Sequence, residues 1–392
     1  MKPLDHLTIL DLSRVLACPF ASMILAELGA TVIKVEQPGA GDETRGFEPQ
    51  LAKDSAYYFA CNRSKASITV NLRKPAGQDV IRALAQKADA VVENFPTGTL
   101  ARYGLDYVTL SNLNPRLVYV SCTGFGQTGP YARKKGYDTV FQAMGGLMSL
   151  TGEKGGGPVK PGLPVADLTS GLWVAIGILA MLQGRERTGH GAHLDFSMLD
   201  GQVSLLTLAA ARYFALGEVP PRLGTEHPGR VPSATFRCRD GRFAHITASD
   251  QHWGPLCKAL GLENWGLDLG SNELRVERRE EVMQKLSEEI SRIDRADLLQ
   301  MLDAVEVPIG PVNDVAEILA DPHVRARGLV GSFDYPGVGE FRALGLPYKF
   351  LGWDNPEIGA PPVLGGDTET ILRERLGYGD EAIARLRSEK VI

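Results

Sequence analysis

The chain has 392 residues, of which 44% are hydrophobic and 23% charged, with a formal net charge of −5. This length implies two domains, and the composition is that of a globular protein able to bury a core. The near-balanced charge excludes nucleic-acid or membrane binding by bulk electrostatics, while leaving local basic residues free to hold a phosphorylated small molecule.

In chain order, Thr8 to Ser13 reads as a strand, Pro19 to Leu28 as a helix opened by Pro and stopped by Gly29, and Thr31 to Glu36 as a second strand. Together they make a βαβ unit, which implies a parallel sheet with a right-handed crossover. The alternation continues with a strand at Ser67 to Leu72, a helix at Gly77 to Ala88, and strands at Ala90 to Asn94 and Leu117 to Ser121. The pattern predicts an α/β, doubly wound architecture, with binding loops after Ser13, Glu36, Asn94 and Ser121.

A Gly-rich loop, Gly152 to Gly162, leads into Pro164-Val165-Ala166-Asp167-Leu168-Thr169-Ser170-Gly171. The apolar run Leu172 to Leu182 follows. It is shorter than the ~20 residues needed to cross a bilayer and reads as a buried core helix. Asp167, just ahead of it with Thr and Ser behind, reads first as a helix N-cap. The competing reading is a carboxylate held for covalent work at the positive end of that helix.

His193 to Met198 then reads as a strand and Leu199 to Gly217 as a long apolar helix. A hairpin with an Asp-Gly turn is predicted at Phe236 to Ile246. Helices follow at Val276 to Ile293 and Arg295 to Val305, the latter capped by Asp294. Strand-like pieces at Val330 to Tyr335 and Glu340 to Phe350 lead to a helical tail, Asp367 to Ser388, expected to pack back on the first domain. The domain division is residues 1–200 with 326–392, a linker at 201–232, and a small α+β domain at 233–325.

Several motifs carry little. Gly124-Phe125-Gly126-Gln127-Thr128-Gly129 matches G-x-G-x-x-G, but Pro130 interrupts the helix entry, so a glycine turn is preferred to an NAD site. His190, His193 and Asp195 fit no metal-ligand spacing. The five cysteines, Cys18, Cys61, Cys122, Cys238 and Cys257, show no C-x-x-C; they argue against disulfides or zinc and suit the reducing cytoplasm. No signal peptide is visible. Arg63, Lys65, Arg73, Lys74 and Arg102 flank predicted strands and together would suit phosphates, with Phe95 or Tyr137 stacking on a base. From the residues alone, this is an α/β enzyme with a phosphorylated ligand and an unplaced carboxylate.

Leu10 to Ala17, Val32 to Gly39, Gly41 to Arg45, Asn62 to Lys65, Val92 to Phe95, Gly136-Tyr137-Asp138, Ala166 to Gly171, Arg187 to Gly191 and Leu364 to Thr368 resemble, in order, segments of the family III CoA-transferases. The resemblance implies a Rossmann-like large domain made from both chain ends, a small middle domain, and an interlocked homodimer. It puts the family's nucleophilic aspartate on Asp167. The CoA contacts fall on Val15, Ala17, Val70, Arg73, Asn94, Phe95, Arg102 and Lys135. Coenzyme A would be a substrate, with no permanently bound cofactor and no metal. Arg14 and Leu16 stand where the family has a His or Gln-type pair, Gln37 replaces an Arg, and the oxalate enzyme's glycine flap is not visible.

Leu12 to Ala17, Gly224 to His227 and Val307 to Asn313 look closest to the dicarboxylate branch, the succinyl-CoA:glutarate CoA-transferases. Arg14, Tyr137 and Asp138 are then expected at the substrate, Arg14 pairing with a distal carboxylate. Glutarate and itaconate are the expected kind of acceptor. The alternative is a 2-methylacyl-CoA racemase, which shares this fold. That chemistry uses a His where this chain has Tyr137, and a phenol makes a poor acid–base partner near neutral pH.

Overall fold

Six short runs rich in apolar and β-branched residues form one parallel sheet: β1 (Thr8–Asp11), β2 (Thr31–Glu36), β3 (Ala66–Thr69), β4 (Ala90–Glu93), β5 (Val118–Thr123) and β6 (His193–Ser197). Their spatial order is β3-β2-β1-β4-β5-β6, every neighbouring pair parallel. The order reverses between β1 and β4. In such sheets, the crevice beyond the strand C-termini at that point is where ligands bind.

Alternate residues of each strand serve opposite faces. Leu10, Ile33, Ile68, Val91 and Tyr119 join one core with Val80, Ile81 and Leu84 of α2 (Pro75–Ala85). Ile9, Val32, Val92, Val118 and Val120 join the other with Ala21 and Leu25 of α1 (Ala17–Glu27) and with Val174 and Ile178 of a long helix described below. Burial on both faces explains why the inner strands β1, β4 and β5 read as apolar runs, whereas the edge strand β6 alternates exposed and partly buried residues.

The computed structural model describes residues 1–392, in two compact units. The first comprises Met1–Leu147, Lys160–Ala211 and Arg325–Ile392, and the second Met148–Val159 and Arg212–Val324. The second unit holds an antiparallel sheet of Ser233–Arg237, Phe243–Thr247 and Ile309–Pro311, with Phe236, Trp253, Leu256, Leu286 and Leu298 in its core.

In the first unit, α3 (Asp138–Met144) precedes α4 (Val165–Thr188), a helix of 24 residues that ends at Gly189 with φ 76°. The apolar run in the sequence marks only its middle. By length and composition the whole helix could cross a bilayer, which corrects the length expected from Leu172 to Leu182, while Val174, Ile178 and Leu182 do lie in the core. Ala166, Ser170, Val174, Ile178 and Leu182 are buried, whereas Leu172, Trp173 and Ile176 are exposed.

Other boundaries also differ. The single helix expected at Leu199 to Gly217 is two, Met198–Ser204 and Thr207–Leu216, and that at Val276 to Ile293 breaks at Arg278. Asp294 does occupy the N-cap of Arg295–Asp303, but its carboxylate bonds Arg239 instead of the helix. The tail is two helices, α5 (Thr368–Leu376) and α6 (Asp380–Ser388), separated at Gly377 with φ 72°. Ile371, Leu372, Ile383 and Leu386 pack in the sheet's first core. Beside them, Asp367 exchanges hydrogen bonds with Ser67 on the outer edge of β3, and Asn71 N–H donates to Val391.

Candidate active site at the C-terminal edge of the sheet

The turn leaving β1 is held by side chains at each successive backbone polar group from the Ser13 N–H to the Val15 N–H. Ser13 N–H donates to Asp11 Oδ1 at 2.9 Å, and the Ser13 carbonyl accepts from Lys34 Nζ at 3.0 Å. Asn94, just past β4, accepts from Arg14 N–H at 2.9 Å and donates to the Arg14 carbonyl at 2.7 Å. Val15 N–H donates to the Asp42 carboxylate at 3.3–3.4 Å. Val15 itself has φ 70°, a left-handed conformation that a β-branched residue adopts only when its surroundings impose it.

The side chains doing this are themselves paired. Lys34 and Asp42 form a wholly buried ion pair at 2.9 Å, and Asp11 takes Lys65 at 3.1 Å. Burial alone would raise the Asp11 carboxyl, but Lys65 and Lys34 hold it well below the usual carboxylate range. Burial likewise opposes the charge on Lys34, yet Asp42 and Asp11 push its ammonium above the usual lysine value. Lys65 is less well compensated, and burial brings it down to about 8. A second buried cluster adjoins: Arg45 grips Glu36 at 2.7 and 2.8 Å and lies over the Tyr58 ring.

Two of the cations considered for phosphate binding are therefore unavailable. Arg63 is buried against Glu27 and the Leu344 carbonyl, and Lys65 is committed to Asp11, Asn62 and the Pro19 carbonyl. Both turn inward because buried carboxylates compensate their charge.

Beyond the ends of β1 to β4 lies a cavity of about 590 Å³, walled by Arg14, Gln37, Val70, Arg73, Phe95 and Tyr103 among others. Arg14 stacks over Phe95, 4.8 Å from its centroid, and approaches Glu43 at 3.7 Å. Phe95 is fixed by its N–H, which donates to Glu93 at 2.8 Å. Burial raises the Glu93 carboxyl to about 7. Val15 and Ala17 lie in the clamped turn and at the start of α1, whereas Arg102 and Lys135 are exposed and are not among the cavity walls. Tyr103 was not singled out from the sequence; Gln37 entered only as a departure from the family's Arg, and Asp42 only within the segment Gly41 to Arg45.

Asp167 is not the cap of its helix. Pro164 occupies that position, and Asp167 is the third residue of the first turn, partly buried. Its own N–H, one of the unpaired donors of a helix start, bonds Asp138 Oδ1 at 3.1 Å. Burial and then the Asp138 charge raise the Asp167 carboxyl to about 7, against the pull of the helix N-terminus. No cation contributes.

Four residues on, Gly171 allows α4 to touch α1. A Cβ there would lie 2.6 Å from the Ala17 carbonyl oxygen and 2.9 Å from the Phe20 ring. Asp167 is thus carried one turn from the start of α1. Tyr57 feels the Asp167 and Asp138 charges, which with burial raise its phenol, so it belongs to the same neighbourhood. Tyr137, by contrast, is 82% exposed and only precedes α3.

The remaining motifs find structural roles. Gly124 packs on the Phe141 ring, Gly126 and Gly129 have φ 80° and 88°, and both oxygens of Asp195 accept from Gln127 N–H. No helix follows directly, so this is a turn held by a carboxylate. His193 bonds Ser121 at 3.0 Å and stacks on Tyr107.

Residues 4–368 match the family model described as CoA-transferase family III. Among characterised relatives, the succinyl-CoA:glutarate CoA-transferase of Homo sapiens is 39% identical over 395 residues, spanning 100% of this chain and 90% of that one. The succinate–glutarate CoA-transferase of Agrobacterium fabrum (strain C58) is 42% identical over 336 residues, covering 83% and 84%. The crystal structure of a CaiB/BaiF family protein from Brucella suis superposes with a TM-score of 0.86 at 40% identity, over 95% of this chain and 99% of that one.

Proposed function

The chain belongs to CoA-transferase family III and is a CoA-transferase, and from that premise we propose that it moves CoA from succinyl-CoA to a dicarboxylic acid such as glutarate or itaconate, with Asp167 as covalent nucleophile. The observation that carries this reading is the Asp167 carboxylate: partly buried, unpaired with any cation, and carried by α4 against the start of α1. A carboxylate is a weak nucleophile; one whose conjugate acid titrates near neutrality is a stronger one.

In this mechanism Asp167 attacks the succinyl thioester carbonyl, expelling CoA thiolate and leaving a mixed anhydride. The thiolate attacks the aspartyl carbonyl and releases succinate, giving an aspartyl-CoA thioester. The acceptor carboxylate attacks that thioester, forming a second anhydride and freeing the thiolate. The thiolate then takes the acceptor's acyl group, and Asp167 is regenerated. Thioester is exchanged for thioester, so the scheme requires neither ATP nor metal. Its rate rests on holding the reacting groups in place, which the clamped turn at Ser13 to Val15 supports.

In this reading the 590 Å³ cavity receives the nucleotide end of CoA, with Val70, Arg73 and Phe95 of its walls as contacts, Val15, Ala17 and Asn94 at the clamped turn beside it, and Arg102 and Lys135 reaching from outside. Arg14, between Phe95 and Glu43, is the cation offered to a second carboxylate. We also propose that the enzyme works as a homodimer in the cytoplasm. The exposed Leu172, Trp173 and Ile176 of α4 and five free, buried cysteines support this.

The test is mass spectrometry after incubation with succinyl-CoA, followed by hydroxylamine trapping. The label is expected on Asp167 and is lost, together with CoA transfer to glutarate, in Asp167→Ala. Undiminished transfer by that variant would end the mechanism. Equal transfer to monocarboxylates of the same length would end the dicarboxylate assignment.

A further inference from the structure

Asp167 is supported from α3 by two polar side chains. Asp138 receives the Asp167 N–H on Oδ1, and its Oδ2 accepts from Gln142 Nε2 at 2.5 Å, one helical turn along α3. The same amide reaches the Leu163 carbonyl at 3.3 Å, so Gln142 ties Asp138 to the segment entering α4. Gln142 is fully buried, and its Oε1 has no partner. Turning the amide over would put that oxygen against a carboxylate and a carbonyl, so the orientation is fixed by chemistry. Burying an amide with one end unbonded is unfavourable, and it persists here on the side that holds Asp138.

We propose that Asp138, held by Gln142, is a positioning residue that sets both the place and the reactivity of the Asp167 nucleophile; this rests on reading Asp167 as the nucleophile. A cation in its place would orient Asp167 equally well but would quench it. Asp138 instead grips the main-chain N–H, leaving the Asp167 carboxylate unbonded by it, and sets a second negative charge nearby. The charged group acting on Asp167 is Asp138 from α3, and the Tyr57 phenol from the helix Ala56–Asn62 feels both carboxylates. When Asp167 becomes an anhydride or a thioester it loses its charge, and the repulsion from Asp138 disappears. Asp138 therefore raises the free carboxylate relative to both acyl-enzymes, which favours attack.

The deciding experiment compares the pH dependence of kcat/KM for succinyl-CoA and glutarate in the parent enzyme and in Asp138→Asn. The amide keeps an acceptor for the Asp167 N–H but removes the charge. The expected result is an acid limb near pH 7 in the parent that moves down by about one pH unit in Asp138→Asn. On the alkaline plateau kcat should fall roughly three- to tenfold, with the CoA dissociation constant unchanged by calorimetry. Gln142→Met, which frees Asp138 but keeps its charge, should lower kcat while leaving the acid limb in place. It also serves if Asp138→Asn does not fold. An unmoved limb and plateau in Asp138→Asn, or a Gln142→Met enzyme with parental kcat, overturns the proposal. A parent enzyme without CoA transfer or without trapping at Asp167 would instead overturn the mechanism on which it rests.

Discussion

Two regions of one sheet edge treat charge in opposite ways. At the turn after β1, every charge has a partner: Lys34 with Asp42, Lys65 with Asp11, and each backbone group between them tied down. At the start of α4, Asp167 is left without a cation and has a second carboxylate beside it. The first region holds a strained residue, Val15, in place; the second holds the proposed nucleophile beside a like charge. Interaction energy is concentrated where geometry must not move, and withheld around the carboxylate proposed to react.

The contrast breaks most severely at Asp42. Asp42→Ala leaves Lys34 buried and unpaired and should destabilise the protein by about 3–5 kcal/mol in denaturant unfolding. Replacing the pair together, Lys34→Met with Asp42→Leu, should recover most of that stability while leaving Val15 unheld and CoA binding at least about tenfold weaker. Parental CoA affinity in the double variant would show that the clamp serves folding alone.

Gly171→Ala tests the link between the two regions. The added methyl meets a backbone carbonyl that cannot swing aside, so a loss of about 1–3 kcal/mol is expected, with kcat falling more than CoA affinity. A parental melting temperature would mean the helices separate without penalty.

Asp167→Asn should act in the opposite direction. Folded, this carboxyl titrates near 7; unfolded, it titrates near 3.9. Between those values the folded state binds more protons, so stability falls as pH rises through that window. The amide escapes this loss. Its melting temperature should exceed the parent's by on the order of 2–4 °C at pH 8, with the gap closing towards pH 5. A gap of the same size at both pH values would place its origin outside ionisation.

The smallest effect is at Val15. Val15→Gly removes the left-handed strain but loosens the unfolded chain, and should raise stability by at most about 1 kcal/mol. A loss larger than that would mean the isopropyl group contributes packing beyond the strain it bears.

The inner parallel strands were legible because burial on both faces writes continuous apolar runs. Lys34 was not. Its place in β2 is wholly buried, and only the fold brings Asp42 and Asp11 within reach of its ammonium. Arg63 and Lys65 misled for the same reason: a cation in a sequence carries no sign of the carboxylate waiting for it. Asp167 could be found, but not its position as third residue in α4. The first turn, Val165 to Leu168, departs from the apolar pattern that marks the middle of the helix, so the run beginning at Leu172 understates where it starts. Asp138 entered as a substrate candidate, and its hydrogen bond to the Asp167 main chain joins residues 29 apart.

The outer edge of β3 has a consequence in time. Ser67 waits for Asp367, 300 residues later, to complete its hydrogen bonds. At the ~5–20 residues per second of translation, that edge stays open for roughly 15–60 s. The stretch Arg212–Val324, nearly all of the second unit, leaves the ribosome within that interval. The sheet bearing the clamped turn is thus begun first and closed last, and until Asp367 to Val391 arrive its exposed strand is a site for pairing with other nascent chains.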